Sequence, residues 1–305
     1  GAGGAGGGGM VTPEDDSCEP GDTDTAAAPA ANEWGPSAYV VALDIPDNAD
    51  AAFAAGCNMF GASAGSALAP AEDFLGDAGN LDAVVTPDET GNADLTLMAR
   101  LDGAMEGMTG NQIQTSDISF FVGSRDGEGN FLIDLDSFEG GDAANGPLIS
   151  FENACVANGK LKAPGSRFSV TLPIVEGLPL SLTLEQTRFS GDLDFDAVGF
   201  NVSNGALRGY LTQGTLEETI AVLTEVCASE TPPDLCGTIG QFLQGPPETV
   251  IDLLFGLLGV DGFDVNIAGD GTVADCADDN CNGIGVCLLV DMRSVAISGT
   301  EPMAD

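Results

Sequence analysis

The side chains able to do chemistry in this chain are carboxylates and cysteines, because none of its 305 residues is histidine. Without imidazole there is no Ser-His-Asp or Cys-His nucleophile and no His-ligated zinc or haem. Gly61-Ala-Ser63-Ala-Gly65 matches the G-x-S-x-G nucleophile elbow, but that elbow needs a base to take the serine proton. The two lysines, Lys160 and Lys162, belong to no S-x-x-K motif, so no base accompanies the match. A hydrolase working on carboxylates alone needs two of them ~5–10 Å apart across the substrate. No pair among the 48 acidic residues is singled out by spacing.

Cation binding is the chemistry that carboxylates in this number favour. The stretch 261–282 reads DGFDVNIAGDGTVADCADDNCN. Calcium loops place oxygen ligands at alternate positions, a glycine at the sharp turn and a carboxylate on the far side. Asp264, Asn266, Gly269, Asp270 and Asp275 fall at positions 1, 3, 6, 7 and 12 of such a loop. Ala268 at position 5 has no ligand oxygen on its side chain, Asp275 replaces the bidentate glutamate, and no helix follows, so this is not an EF-hand. Asp278 and Asp279 extend the ligand set. A second set is Asp192, Asp194 and Asp196, which alternate and so share one face of a strand. Asp134 and Asp136 form a smaller version. Calcium is therefore the expected cofactor; the plain alternatives are a disulfide-pinned acidic hairpin at 261–282 and a solvated acidic face at Asp192, Asp194 and Asp196.

The 8 cysteines are even in number and include no C-x-x-C. That pattern fits disulfides and an oxidising compartment better than zinc or redox chemistry. Cys227 and Cys236 bracket Pro232–Pro233 and are expected to pair, whereas Cys276, Cys281 and Cys287 form a close group whose pairing stays open.

The elements that must position these residues are mostly strands. Ala38 to Asp44, Asp94 to Leu101, Ile118 to Val122 and Phe131 to Leu135 are apolar runs between Gly/Asp/Asn turns. Over 167–184, Phe168, Val170, Leu172 and Ile174, then Leu178, Leu180, Leu182 and Leu184, alternate with other residues. Period two with one apolar face predicts a half-buried antiparallel strand, which Pro173 and Pro179 place at an edge or bend. Leu193 and Phe195 continue the alternation, and a last strand runs from Gly285 to Ser298. Short helices are expected around 49–55 and 70–76. Leu216, Ile220, Leu223 and Cys227 share a helical face, and Thr215 with Glu218 makes a capping box. Two more helices follow Pro232–Pro233 and Pro246–Pro247, the latter apolar nearly all round and so buried or against a partner. The predicted fold is α+β: a mainly antiparallel sheet or sandwich with a three-helix segment, about 215–258, packed against it.

Composition narrows the setting. At 43% hydrophobic with 8 basic against 48 acidic residues, the chain can bury a core yet carries a formal charge of -40. It lacks the basic residues that neutralise nucleic-acid phosphates or anionic lipid. No apolar run reaches the ~18 residues of a spanning helix. Residues 1–33 are Gly-rich, then acidic, and read as a flexible tether; 34–300 read as one domain and 301–305 as a tail.

Two resemblances follow from these residues. The glycine-rich start, with seven Gly in the first nine residues, resembles the tether after the lipidated cysteine of exported bacterial surface lipoproteins. That implies an outer-surface or extracellular location and a lipid anchor on a residue before Gly1. The stretch 270–281, with Asp270, Asp275, Cys276, Asp278, Asp279 and Cys281, resembles the calcium repeats of thrombospondin type three. The expected role is an exported, surface-tethered structural or adhesive protein with calcium-stabilised acidic loops, a protein partner or self-assembly, and no enzymatic activity. The alternative is carriage of a lipid or pigment by the apolar helix 246–258, and after it a carboxylate hydrolase.

Overall fold

A computed structural model describes residues 34–61, 65–70, 80–88, 92–102, 114–175, 178–229, 232–233, 235–258, 260–276 and 280–301. The strands are β1 Ser37–Asp44, β2 Thr96–Asp102, β3 Gln114–Arg125, β4 Phe131–Ile133, β5 Ile149–Ala157 and β6 Lys160–Val175. They continue with β7 Leu178–Phe195, β8 Phe200–Thr212, β9 Val265–Ile267, β10 Val273–Asp275, β11 Gly283–Val295 and β12 Ile297–Thr300. The helices are α1 Ala49–Ala54, α2 Leu81–Val85, α3 Gln213–Cys227, α4 Leu235–Ile239 and α5 Pro247–Leu258.

Eight strands pair in the order β1-β2-β3-β5-β6-β7-β8-β11, and β11 pairs back on β1, every neighbour antiparallel. The sheet is thus a closed barrel, not the sandwich expected from its periodicity. Both architectures give each strand one apolar face; closure depends on tilt and stagger, which alternation does not encode. The predicted single strand 167–184 is the two arms of the β6–β7 hairpin, with Val175 opposite Leu178. The three-helix segment is present. Its first helix starts one turn early: Thr212, at the end of β8, is the N-cap and its Oγ1 accepts from the Thr215 N–H at 3.1 Å. The helix expected at 70–76 lies mainly outside the described residues.

The interior is filled with apolar side chains. Phe120 is 1% exposed and meets Phe151, Phe168 and Phe189 edge-on, at centroid distances of 5.8, 5.7 and 5.5 Å. Above these rings, Val40, Leu43, Leu97, Val170, Leu207 and Leu288 leave a cavity of about 10 Å³, room for about one water. Where the wall is uncovered its outer side is polar: Glu152, Ser169, Thr171 and Ser181 are exposed. This is the reverse of the apolar band of a lipid-embedded barrel. No helix among the described residues is long and apolar enough to cross a membrane.

Three additions cover the rest of the wall. Leu216, Phe255 and Phe263 touch both the barrel core and a helical cluster of Ile220, Ile239, Leu243, Val250 and Ile251, so α3 and α5 pack where β8 ends. The nearly all-apolar α5 is half-covered, with Leu253 48% exposed. On a second flank β4 and β12 pair in parallel over Met98, Phe121 and Phe138. On a third, Ala52, Cys57 and Met59 pack on Ala206, Tyr210 and Cys287 of the outer wall.

Candidate functional site

Carboxylates were the sequence's strongest signal, and the fold disperses them. Asp192 stands opposite Lys160 on β6, forms an ion pair with its ammonium, and accepts from Asn204 Nδ2 at 2.9 Å. The Lys160 hydrogen bond, then that of Asn204, holds its carboxyl below the usual range. Asp194 is exposed, opposite Asn201. Asp196 lies one residue beyond β7 and organises the turn into β8. Its Oδ1 accepts from Val198 and Gly199 N–H at 2.8 and 3.0 Å, and its Oδ2 from Asn201 Nδ2 and the Ser294 hydroxyl. The Ser294 contact, followed by the Gly199 amide, depresses its carboxyl to about 2. Asp192 and Asp194 share the outer face of β7, with Asp192 tied to Lys160 and Asn204, whereas Asp196 lies past the strand end and serves the turn. Asp134 caps a turn by accepting from Asp136 N–H at 2.9 Å.

The 264–275 segment is a β-hairpin, β9 against β10, with Ala274 opposite Asn266 and Asp275 opposite Val265. Extended pairing spreads residues that a calcium loop must curl around one centre. Asp270 sits at the exposed tip and accepts from Thr272 N–H at 3.0 Å, which lowers its pKa. Asn266 is exposed. Asp264 and Asp275 do meet at one place, Gly61. Asp275 Oδ1 accepts the Gly61 N–H at 3.1 Å, and a Cβ on Gly61 would lie 2.5 Å from Asp264 Oδ1. With φ +97° as well, only glycine fits there. Among the described residues no three Asp, Glu or Cys side chains are grouped to hold a metal. Asp278 and Asp279 lie outside the described residues, as do residues 62–64 of the G-x-S-x-G match.

Disulfides fix this flank. Cys276–Cys281 closes the base of the hairpin region, Cys57–Cys287 ties the 49–61 segment to β11, and the expected Cys227–Cys236 bridge joins α3 to α4. Cys155 is also disulfide-bonded. Of the close trio, Cys287 pairs outside the group, because β11 carries it to the wall under Cys57.

Between the pinned segment and the hairpin lies a cleft of about 250 Å³ that no sequence feature announced. Its floor is the outer wall of β7 and β8, where Arg188 stands directly opposite Arg208. The register shifts between Glu185 and Arg188, and Gln186 within that bulge has φ +50°. Bulges re-aim side chains in this way. Gln186 is turned to the hairpin tip: a Cβ on Gly271, itself at φ +83°, would lie 2.4 Å from its Nε2. Arg208 is 3% exposed, and its Nη1 donates to the Gly56 carbonyl at 2.8 Å. Tyr210, two residues on and so on the same face, accepts the Phe60 N–H at 3.1 Å through its hydroxyl oxygen. Burial raises the Tyr210 pKa; the Asp264 charge adds to this, while Arg188 and Arg208 oppose it. The phenol is thus protonated at neutral pH and retains a proton to donate. Asn58 and Thr272 complete the rim.

The sequence reading missed Arg188 and Arg208; the scarcity of basic residues is the one signal that could have marked them. The chain has 8 basic residues against 48 acidic ones. Arg100 and Arg125 lie over aromatic rings, Arg167 pairs with Glu185 at 3.2 Å, and Arg188 and Arg208 share this cleft. No protein-family model, no curated protein and no solved structure matches the chain.

Proposed function

We propose that this chain is an exported surface protein with a structural or adhesive role, in which a solid barrel serves as a frame for the loops around it. The observation that carries this reading is the filled interior. Phe120 and the rings around it occupy the centre of the barrel, and the cavity they line with Val40, Leu97 and Leu288 is about 10 Å³. Three disulfides, one of them between segments 230 residues apart, suit an oxidising exterior, and a charge of -40 keeps such a protein dispersed in salty surroundings. Carriage of a lipid or pigment has less support, because the apolar helix α5 spends its buried residues Val250 and Ile251 on contacts within the helical cluster.

Calcium is the proposed brace of the 264–281 segment. Asp264 and Asp275 both abut Gly61, and neighbouring carboxylates repel unless a cation or donor intervenes. The test is thermal unfolding and native mass spectrometry of the full, unreduced chain with and without calcium. Saturation at a hundred times Kd stabilises by about 2.7 kcal/mol, a rise of roughly 5–10 °C. Calcium-dependent melting with a multimer supports the whole reading. Unchanged melting removes calcium from it, and a monomer carrying one organic adduct replaces it with a carrier.

A further inference from the structure

We infer that the groove beside Arg167–Thr171 of β6 is a docking site for an extended peptide that alternates apolar and basic side chains and adds to the wall as a strand. The wall is not paired along its full height. β3 and β5 pair as far as Ile149, and β6 and β7 as far as Val175. β5 and β6 pair only from Ala157 opposite Lys160 to Cys155 opposite Lys162. Farther along, a side-chain bond spans the two, from Ser166 Oγ to the Ser150 carbonyl at 2.6 Å. Before Ile149 the chain leaves the wall, and the Leu148 N–H donates to the Ser137 carbonyl at 2.9 Å. Over Arg167–Thr171 the side of β6 turned away from β7 therefore has no backbone pairing among the described residues. Alternate residues of an antiparallel strand direct their N–H and C=O to opposite sides, so this edge presents donors and acceptors to the groove. The edge of β3 across from it is already satisfied. Val122 N–H donates to Ser137 Oγ at 2.9 Å, and the Val122 carbonyl accepts from that hydroxyl at 3.1 Å and from Asp134 N–H at 2.9 Å.

The groove has a volume of about 510 Å³. Phe120, Ile149 and Val170 give it an apolar floor, and Leu148 at its rim is 61% exposed. At the rise of a strand, Arg167–Thr171 spans about 17 Å. Strand addition takes its affinity from main-chain bonds along such an edge and its specificity from sites for alternate side chains. Open edges are usually blunted by lysine, proline or a bulge. Here Pro164 precedes the open stretch, and the charge within it, Arg167, is engaged by Glu185 at 3.2 Å. Charge selects the occupant. Asp134 and Asp136 line the groove, and residues 134–157 also include Glu139, Asp142 and Glu152 but no lysine or arginine. Such a rim attracts a basic segment, whereas a second copy of a chain at -40 is repelled. The inference rests on the strand edge and its rim, and is independent of export and of calcium.

The probe is a blocked peptide of alternating lysine and valine, titrated into the full, unreduced chain at ~0.15 M sodium chloride. Any polycation is drawn to so acidic a protein, so two further peptides keep the charge and carry N-methyl groups, one on its valines and the other on its lysines. Because alternate N–H groups point to opposite edges, one of these should bind as the parent does and the other at least about 10-fold more weakly. Amide exchange should slow within 167–171 when the parent peptide is bound. Leu148→Lys places a like charge at the rim and should weaken binding about 10-fold. Val198→Lys makes the same change at a residue 47% exposed in the β7–β8 turn and should leave binding unchanged. Equal affinities of all three peptides, unaltered exchange within 167–171, or equal affinities of the two variants would overturn the proposal and leave only charge attraction. A dimer of the chain alone that Leu148→Lys dissociates would overturn it too, replacing the peptide with a second copy.

Discussion

Phe120→Ala tests the filled barrel, on which the proposed role depends. The side chain is 1% exposed at the centre of the interior, and three phenylalanine rings lie within 5.8 Å of its own centroid. Truncating a buried phenylalanine costs about 3–5 kcal/mol through lost transfer energy and the cavity left behind. Edge-on ring pairs are worth about 0.5–1.5 kcal/mol each beyond burial, part of which the first figure already contains. An overall loss of about 5 kcal/mol follows, or roughly 10–20 °C in Tm for a domain of this size. Phe120→Leu, which keeps most of the volume, should lose far less. The new space adjoins the existing gap beside Val40, Leu97 and Leu288. Apolar cavities of that kind stay dry and admit xenon or benzene. Urea unfolding gives the stability change, and a benzene titration followed by melting gives the occupancy. The expected result is stabilisation by benzene of Phe120→Ala but not of the wild type. The reasoning fails if the wild type already takes up an apolar probe stoichiometrically, or if Phe120→Ala loses less than about 1 kcal/mol, far below the range for such a truncation.

Further consequences concern the cross-links, pH and salt. Cys57→Ala/Cys287→Ala opens a connection of 230 residues and should cost about 5–6 kcal/mol on the loop-entropy account. Cys227→Ala/Cys236→Ala opens one of 9 residues and should cost about 2–3 kcal/mol; equal losses in urea midpoints would contradict that account. Asp196 has a folded pKa lowered from 3.8 to about 2, so its contribution is fully present above pH 4 and disappears as pH falls through 2. Because the residue is exposed, Asp196→Ala should lose at most about 1 kcal/mol at pH 7. The gap from wild type should close between pH 4 and pH 2, and a gap constant over that interval would show that the carboxylate charge is not its source. At a formal charge of -40, the urea midpoint should rise steadily between ~0.05 and ~0.5 M sodium chloride as self-repulsion is screened. A flat profile would mean that the negative charges are already locally compensated.

Local periodicity made much of the wall legible. The alternation in Phe168, Val170, Leu182 and Leu184 marked the residues that face inward, and in the hairpin Phe168 lies opposite Leu184 and Val170 opposite Leu182. The helix after β8 and the bridge Cys227–Cys236 were legible for the same reason, since both depend on residues a few positions apart. The acidic spacings at 264–275 fall on a strand pair and not on a curled loop. Asp264, Asn266 and Asp270 keep the intervals of a calcium loop, but pairing of β9 with β10 holds the backbone extended around them. Asp196 is a turn residue instead of a third strand aspartate because β7 ends at Phe195.

By itself, then, the sequence determined which residues avoid water, where the chain turns, and which chemistries are absent, because side-chain hydrophobicity, Gly/Pro turns and the lack of imidazole act locally. Closure of the sheet was decided only in three dimensions. It requires β11 to return to β1 across the whole chain, with Ser37 opposite Val295, a register that no short window contains. The cleft was decided there too. Arg188 and Arg208 are ordinary strand residues until the bulge at Gln186 sets them opposite each other. They become the floor of a cleft only when Cys57–Cys287 draws a segment more than a hundred residues away over them. Long-range pairing and covalent cross-linking, unlike periodicity, have no signature at the positions they bring together.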